Sequence, residues 1–268
     1  MQWKLKKVLV TVKAYPNPSK KYGETVCVAG IDLDTGKWIR LYPVQYRDLE
    51  DDKKFKKYSI IEVRAHKASD DTRPESFKVD ADSIRVIDWL DTKDGWKKRK
   101  EIVLPTLSSS CCDILTKSEE IGISLGMFKP YRVSFQRKNM KLQDEQEREA
   151  CYAQLSFYNK SKKAVEDIPF DFRYQFYCQG KDDCPGHDLP IIDWEIGQAY
   201  RSWRYNYKDK TVLLQKIKER WLDNLCADKR NTYFYVGNMK RFRQNFMILG
   251  VFYPPHEKCL PTMKIPSE

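Results

Sequence analysis

Residues 170–195 read FDFRYQFYCQGKDDCPGHDLPIIDWE. Phe170, Phe172, Tyr174, Phe176 and Cys178 alternate with Asp171, Arg173, Gln175 and Tyr177. Successive strand side chains point to opposite faces, so this pattern predicts a half-buried β-strand with an aromatic inner face and a polar outer one. A tight loop then carries Cys178, Cys184 and His187. Beyond it, Asp188 reads as a helix cap with Pro190 in the first turn, and Ile192, Ile196, Ala199, Tyr200, Trp203 and Tyr207 recur at helical spacing.

The loop admits three readings. Cys178, Cys184 and His187 offer ligands of the right softness for zinc, but a structural zinc site takes four, and Cys226, Asp193 or one of Cys111 and Cys112 would have to complete it. Adjacent cysteines point in different directions, so Cys111 and Cys112 do not both reach one ion. The same residues could instead be a fold-holding turn, the first reading because paired CxxC knuckles are missing. They could also be a nucleophile and base, with Cys178 or Cys184 beside His187 and an orienting Asp193 or Glu195. On the expected helix those two carboxylates project about 200° apart, which argues against a shared metal.

Upstream, residues 3–13, 24–33, 37–42 and 58–66 have the β-branched density of strands, and Asp34-Thr35-Gly36 predicts a hairpin turn. In the strand KWIRLYP, Ile39 and Leu41 share an apolar face, leaving Trp38, Arg40 and Tyr42 on an aromatic and cationic one. The densest basic cluster is GWKKRK, with Trp96, Lys97, Lys98 and Arg99 on an expected helix. Further strands are expected over 77–88, 131–137 and 152–158, then a second helix over 211–225 with Leu213, Leu214, Ile217, Trp221 and Leu225 inward. The final strands, 232–236 and 245–253, flank a basic tip with Lys240, Arg241 and Arg243. The polar run 143–149 is the expected domain boundary, dividing the chain into 1–142 and 143–268.

The chain has 49 Lys and Arg against 38 Asp and Glu, a net charge of +11, with 16 Tyr and 7 Trp. Positive charge favours polyanions, and flat aromatic faces stack on bases. Eight scattered cysteines do not form a small secreted disulfide framework, and no apolar run reaches the length of a membrane span, so a cytoplasmic protein with reduced thiols is expected.

The segments VAGIDLDTGKWIRLYP, SLGMFKP, FRYQFYCQGKDDCPGHDLPIIDWE, TYFYVGN and NFMILGVFYPP together resemble bacterial proteins with two OB-type domains. That resemblance implies two small β-barrels and nucleic-acid binding, and no catalytic residues. The helices expected over 190–225 are more than an OB core requires. The reading is therefore an α+β chain of two β-rich, OB-like domains, the second with two inserted helices and the Cys/His loop. Its expected role is binding single-stranded or structured nucleic acid through Trp38, Arg40, Tyr42, Trp96, Lys97, Lys98, Arg99, Lys240, Arg241 and Arg243. The alternative is an enzyme, or a nucleic-acid modification or defence factor, centred on residues 178–195. An acidic protein partner is the third.

Overall fold

The computed structural model describes residues 2–14, 17–19, 23–139 and 168–256. The run 143–149, the strand expected over 152–158, Cys151 and Cys259 lie outside the described residues. The first part of the chain contains β1 (Lys4–Lys13), β2 (Asn17–Ser19), β3 (Gly23–Asp32), β4 (Lys37–Val44), β5 (Ser59–Lys67), β6 (Ser76–Val79) and β7 (Arg85–Trp89). β1 pairs with β3, β3 with β4, β4 runs parallel to β6, β6 pairs with β5, and β5 returns to β1. Five strands thus close a barrel, with β2 and β7 appended. Val8, Val10, Ile39, Leu41, Ile61 and Val63 fill it, each 0–1% exposed; burying such a side chain stabilises the fold by about 1.5–3 kcal/mol. The hairpin joining β3 to β4 turns at Gly36, whose φ is 66°.

Two helices follow, α1 (Lys93–Val103) and α2 (Cys111–Ile121). The second part is built from β8 (Leu125–Phe128), β9 (Pro130–Asn139), β10 (Phe170–Cys178), β11 (His187–Pro190), α3 (Trp194–Trp203), α4 (Lys210–Lys218), β12 (Tyr233–Asn238) and β13 (Phe246–Phe252). Its strands form two three-stranded sheets, β9–β10–β11 and β8–β12–β13. The sheets meet at both ends. β8 and β9 are one course of chain bent at Lys129, and Ile191, just past β11, bridges Ile248 of β13 in parallel, with the Ile192 N–H donating to the Ile248 carbonyl at 2.9 Å. Pairing therefore runs from β8/β9 through β10, β11, β13 and β12 back to β8. This repeats the cyclic order of the first barrel, including a parallel contact between third and fifth members.

This pairing crosses the expected domain boundary. β8 and β9 precede residue 142 yet supply two sides of the second ring, because β9 pairs with β10 from Pro130↔Cys178 to Asn139↔Phe170. The helix start is corrected. Residues His187–Pro190 are a strand paired with Arg173–Phe176, so the helix cap moves to Asp193, whose carboxylate accepts the Glu195 N–H at 3.1 Å. The expected stripes persist: Ile196, Tyr200, Leu213, Leu214, Ile217, Trp221 and Leu225 are buried in the core of the second part. No helix among the described residues is long and apolar enough to cross a membrane.

Candidate functional site

The alternation of β10 turns Cys178 inward at the strand's end, and the loop returns through Cys184 to His187 at the start of β11, across the ladder from Phe176. The fourth donor comes from α2. Ser110 caps that helix by accepting the Asp113 N–H at 2.9 Å, which places Cys112 in the first turn. α2 comes close because β8 has Gly126 beneath it; a Cβ there would stand 2.6 Å from Ile114 Cδ1. His187 Nε2 lies 3.4 Å from each of the Cys112, Cys178 and Cys184 sulfurs. Cys112 Sγ is 3.8 Å from Cys184 Sγ and 3.7 Å from Cys178 Sγ. A tetrahedral ion with zinc–sulfur bonds near 2.3 Å and zinc–nitrogen bonds near 2.0–2.1 Å has edges of about 3.8 Å between sulfurs and about 3.6 Å between sulfur and nitrogen. The cluster can hold a metal ion.

The electrostatics fit a donor set. Burial pushes His187 below its ordinary pKa, towards the neutral imidazole that ligates. Burial opposes ionisation of Cys184, but backbone N–H groups of Cys178 and Gly186 point at its sulfur and hold its pKa below the ordinary thiol value. Burial and the facing thiols push Cys112 up to about 12, a repulsion that a cation at the centre would reverse. Cys111 points away into the core with its thiol pushed up by burial, as expected of neighbours that cannot both ligate. Cys226 is not the missing ligand: its thiol donates to the Trp221 carbonyl at 3.6 Å.

Two family models match the chain: Domain of unknown function (DUF8758) over residues 4–105 and Domain of unknown function (DUF8757) over residues 107–266. The chain belongs to the DUF8757 family. No curated protein matches it. The DUF8757 match contains all four donors and both sheets of the second ring, and the joint between the two matches falls before α2.

Asp193 and Glu195 of the DUF8757 part do not face apart. Asp193 is the extended cap residue, so helical projection does not apply to it, and both carboxylates accept from Lys57 Nζ, at 2.7 and 2.9 Å. Burial would lower the Lys57 pKa, but the two carboxylates outweigh it and raise it, keeping the ammonium charged. Asp193 therefore neither ligates at the Cys/His cluster nor orients His187; it ties the first barrel to the DUF8757 part.

The expected nucleic-acid residues divide by burial. Ile39 and Leu41 face the barrel interior as expected, but the opposite face of β4 meets the DUF8757 part. Trp38 packs edge-on against Tyr235 at 5.8 Å, and Arg40, 4% exposed, donates to the Ser124 carbonyl at 2.9 Å. Trp96 is buried against Tyr253 and Phe252, turned inward by left-handed backbone at Asp94, Gly95 and Trp96. Arg99 is buried too, its guanidinium 4.0 Å above the Tyr58 ring and bonded to the Leu90 carbonyl. Trp38, Trp96 and Arg99 are packing residues, and Arg40 is buried. Tyr42, Lys97, Lys98, Lys240 and Arg241 are exposed, while Arg243 is half-buried and donates to Thr72.

The sequence reading missed another surface. The outer face of β9–β10–β11 presents Tyr131 and Tyr177, paired in register and 47% and 48% exposed. Gln136 donates to Gln175 at 2.6 Å, and Arg173 is held by Asp171 and Asp188. The Arg132 guanidinium lies 5.1 Å from the Tyr131 ring. Tyr177 rests on Gly186, whose φ of +81° and missing side chain let the ring approach to 3.2 Å from where a Cβ would stand. The alternation of 171, 173, 175 and 177 was the signal available in sequence.

Proposed function

We propose that the protein binds single-stranded nucleic acid on the outer face of β9–β10–β11, and that a zinc ion at Cys112, Cys178, Cys184 and His187 fastens that face. The observation carrying this reading is the exposed Tyr131 and Tyr177 pair, set beside Arg132 and two side-chain amides, with Arg173 and Lys138 nearby in ion pairs with Asp171 and Asp188. Stacking platforms with adjacent cations are how proteins hold single strands irrespective of base identity. The cyclic strand order of both rings supports an OB-like reading, in which a five-stranded barrel binds oligonucleotides on the face of its second and third strands. In the first ring those strands are β3 and β4, and β4 is covered by the second part. In the second ring they are β10 and β11, and their outer face is open.

Four mutually facing donors fit a closed structural zinc site better than a nucleophile with its base. The test is fluorescence anisotropy with labelled oligothymidylate and oligouridylate. The variant Tyr131→Ala/Tyr177→Ala is expected to weaken binding at least about tenfold, since stacking contributes about 1–3 kcal/mol per base. Binding should also fall steeply as salt rises. No binding, or an unchanged affinity in the double variant, sets the reading aside.

A further inference from the structure

The first barrel and the DUF8757 part enclose a cleft of about 600 Å³. Its apolar wall includes Phe170, Phe172, Ile191, Met247 and Leu249, and its rim includes Lys240 and Arg241. Arg40 lines it at 4% exposure. The guanidinium donates to Cys27 Sγ at 3.2 Å and to the Ser124 carbonyl and hydroxyl oxygens at 2.9 and 3.1 Å, while its Nε has no partner. Among the described residues no carboxylate stands at ion-pair distance from Arg40; the nearest acidic link is Glu75, reached through the Ser124 hydroxyl at 2.8 Å. Arg241 likewise has no ion-pair partner among the described residues.

Buried guanidinium groups without a counter-charge are costly, and unsatisfied buried polar atoms are rare enough that each requires a reason. Arg40 is such a group, and it lines a cavity whose volume suits a small organic ligand. We propose that this cleft binds a nucleoside phosphate, its phosphate drawn by Arg40 and Arg241 and its base lodged against the apolar wall. The choice of nucleoside over other phosphorylated molecules rests on the nucleic-acid reading above, but the surface is a different one. The phosphate can belong to a free mononucleotide or to the end of a strand.

Calorimetric titration of the full chain with AMP, adenosine and a trinucleotide with or without a 5′ phosphate tests this. AMP or the phosphorylated trinucleotide is expected to bind at least about tenfold tighter than its unphosphorylated counterpart, and which of the two is tighter identifies the source. Arg241→Ala, at an exposed position, should remove most of that difference, and Arg40→Lys should weaken it with the fold intact by circular dichroism. Tyr131→Ala/Tyr177→Ala should leave AMP binding unchanged while weakening long oligonucleotides, so the two readings fail separately. Equal binding of phosphorylated and unphosphorylated ligands, no binding of any, or full phosphate preference in Arg241→Ala overturns the proposal.

Discussion

Replacing Asp193 with Asn keeps its size and its capping acceptor and removes one charge. Lys57 Nζ stands 2.7 Å from Asp193 and 2.9 Å from Glu195; the Lys57 and Asp193 side chains are 6% and 2% exposed, and that of Glu195 is 55% exposed. Removing one partner of a buried ion pair costs about 3–5 kcal/mol, because the other charge stays buried and unbalanced. Glu195 remains to face the ammonium from the solvent side, which puts the expected loss at the low end, about 3 kcal/mol. For a chain of this size that corresponds to roughly 6–12 °C in Tm. Urea and thermal unfolding followed by circular dichroism and tryptophan fluorescence measure it. Adding Lys57→Met to Asp193→Asn removes the stranded ammonium and should recover about half of the loss or more, since an uncharged replacement of a buried pair is often close to neutral. A loss below about 1 kcal/mol in Asp193→Asn would refute the view that this cluster ties the barrels together. A double variant no more stable than the single one would refute it equally.

Purified protein is expected to contain one zinc per chain by elemental analysis; Cys112→Ser should lose most of it and Cys226→Ser none. A Cys112→Ser protein with full zinc would exclude the four-donor site. Gly126→Ala pushes a methyl group to 2.6 Å from Ile114 Cδ1, so it should cost about 1–3 kcal/mol by overpacking and weaken zinc retention by shifting α2, measured by chelator competition. Burial, and then Lys57, lower the Lys13 pKa to about 8. Between that pH and the ordinary lysine value the unfolded chain keeps a proton that the folded chain has released, so stability from this group rises with pH. Wild type should therefore gain about 2–3 kcal/mol relative to Lys13→Met between about pH 7.5 and 10 in urea titrations. A constant difference would show that Lys13 titrates normally.

The strand over 170–178 and the inward faces of both helices in the second part were legible because their residues are local and periodic. Three of the four donors were legible for the same reason: Cys178, Cys184 and His187 lie on one turn. The fourth was left open among Cys226, Asp193 and one of Cys111 and Cys112, since Cys112 is 66 positions before Cys178 and only the seating of α2 over Gly126 brings it near. Reading Asp193 and Glu195 as helical neighbours failed because β11 pairs through Pro190 and delays the helix, leaving Asp193 extended.

The sequence by itself determined most strands of the first barrel, the strand over 170–178, the inward faces of the two helices in the second part, and that a cysteine and histidine turn follows β10. These follow from side-chain period and local turn chemistry, which act over a few residues. Tertiary structure alone decided which polar faces stay open. Trp38 and Arg40 look like a binding strip along KWIRLYP, yet the second part packs over that strand, whereas Tyr131 and Tyr177 meet only when β9 pairs with β10. Whether a surface is available depends on what packs against it from far along the chain, and that information is absent from any local pattern.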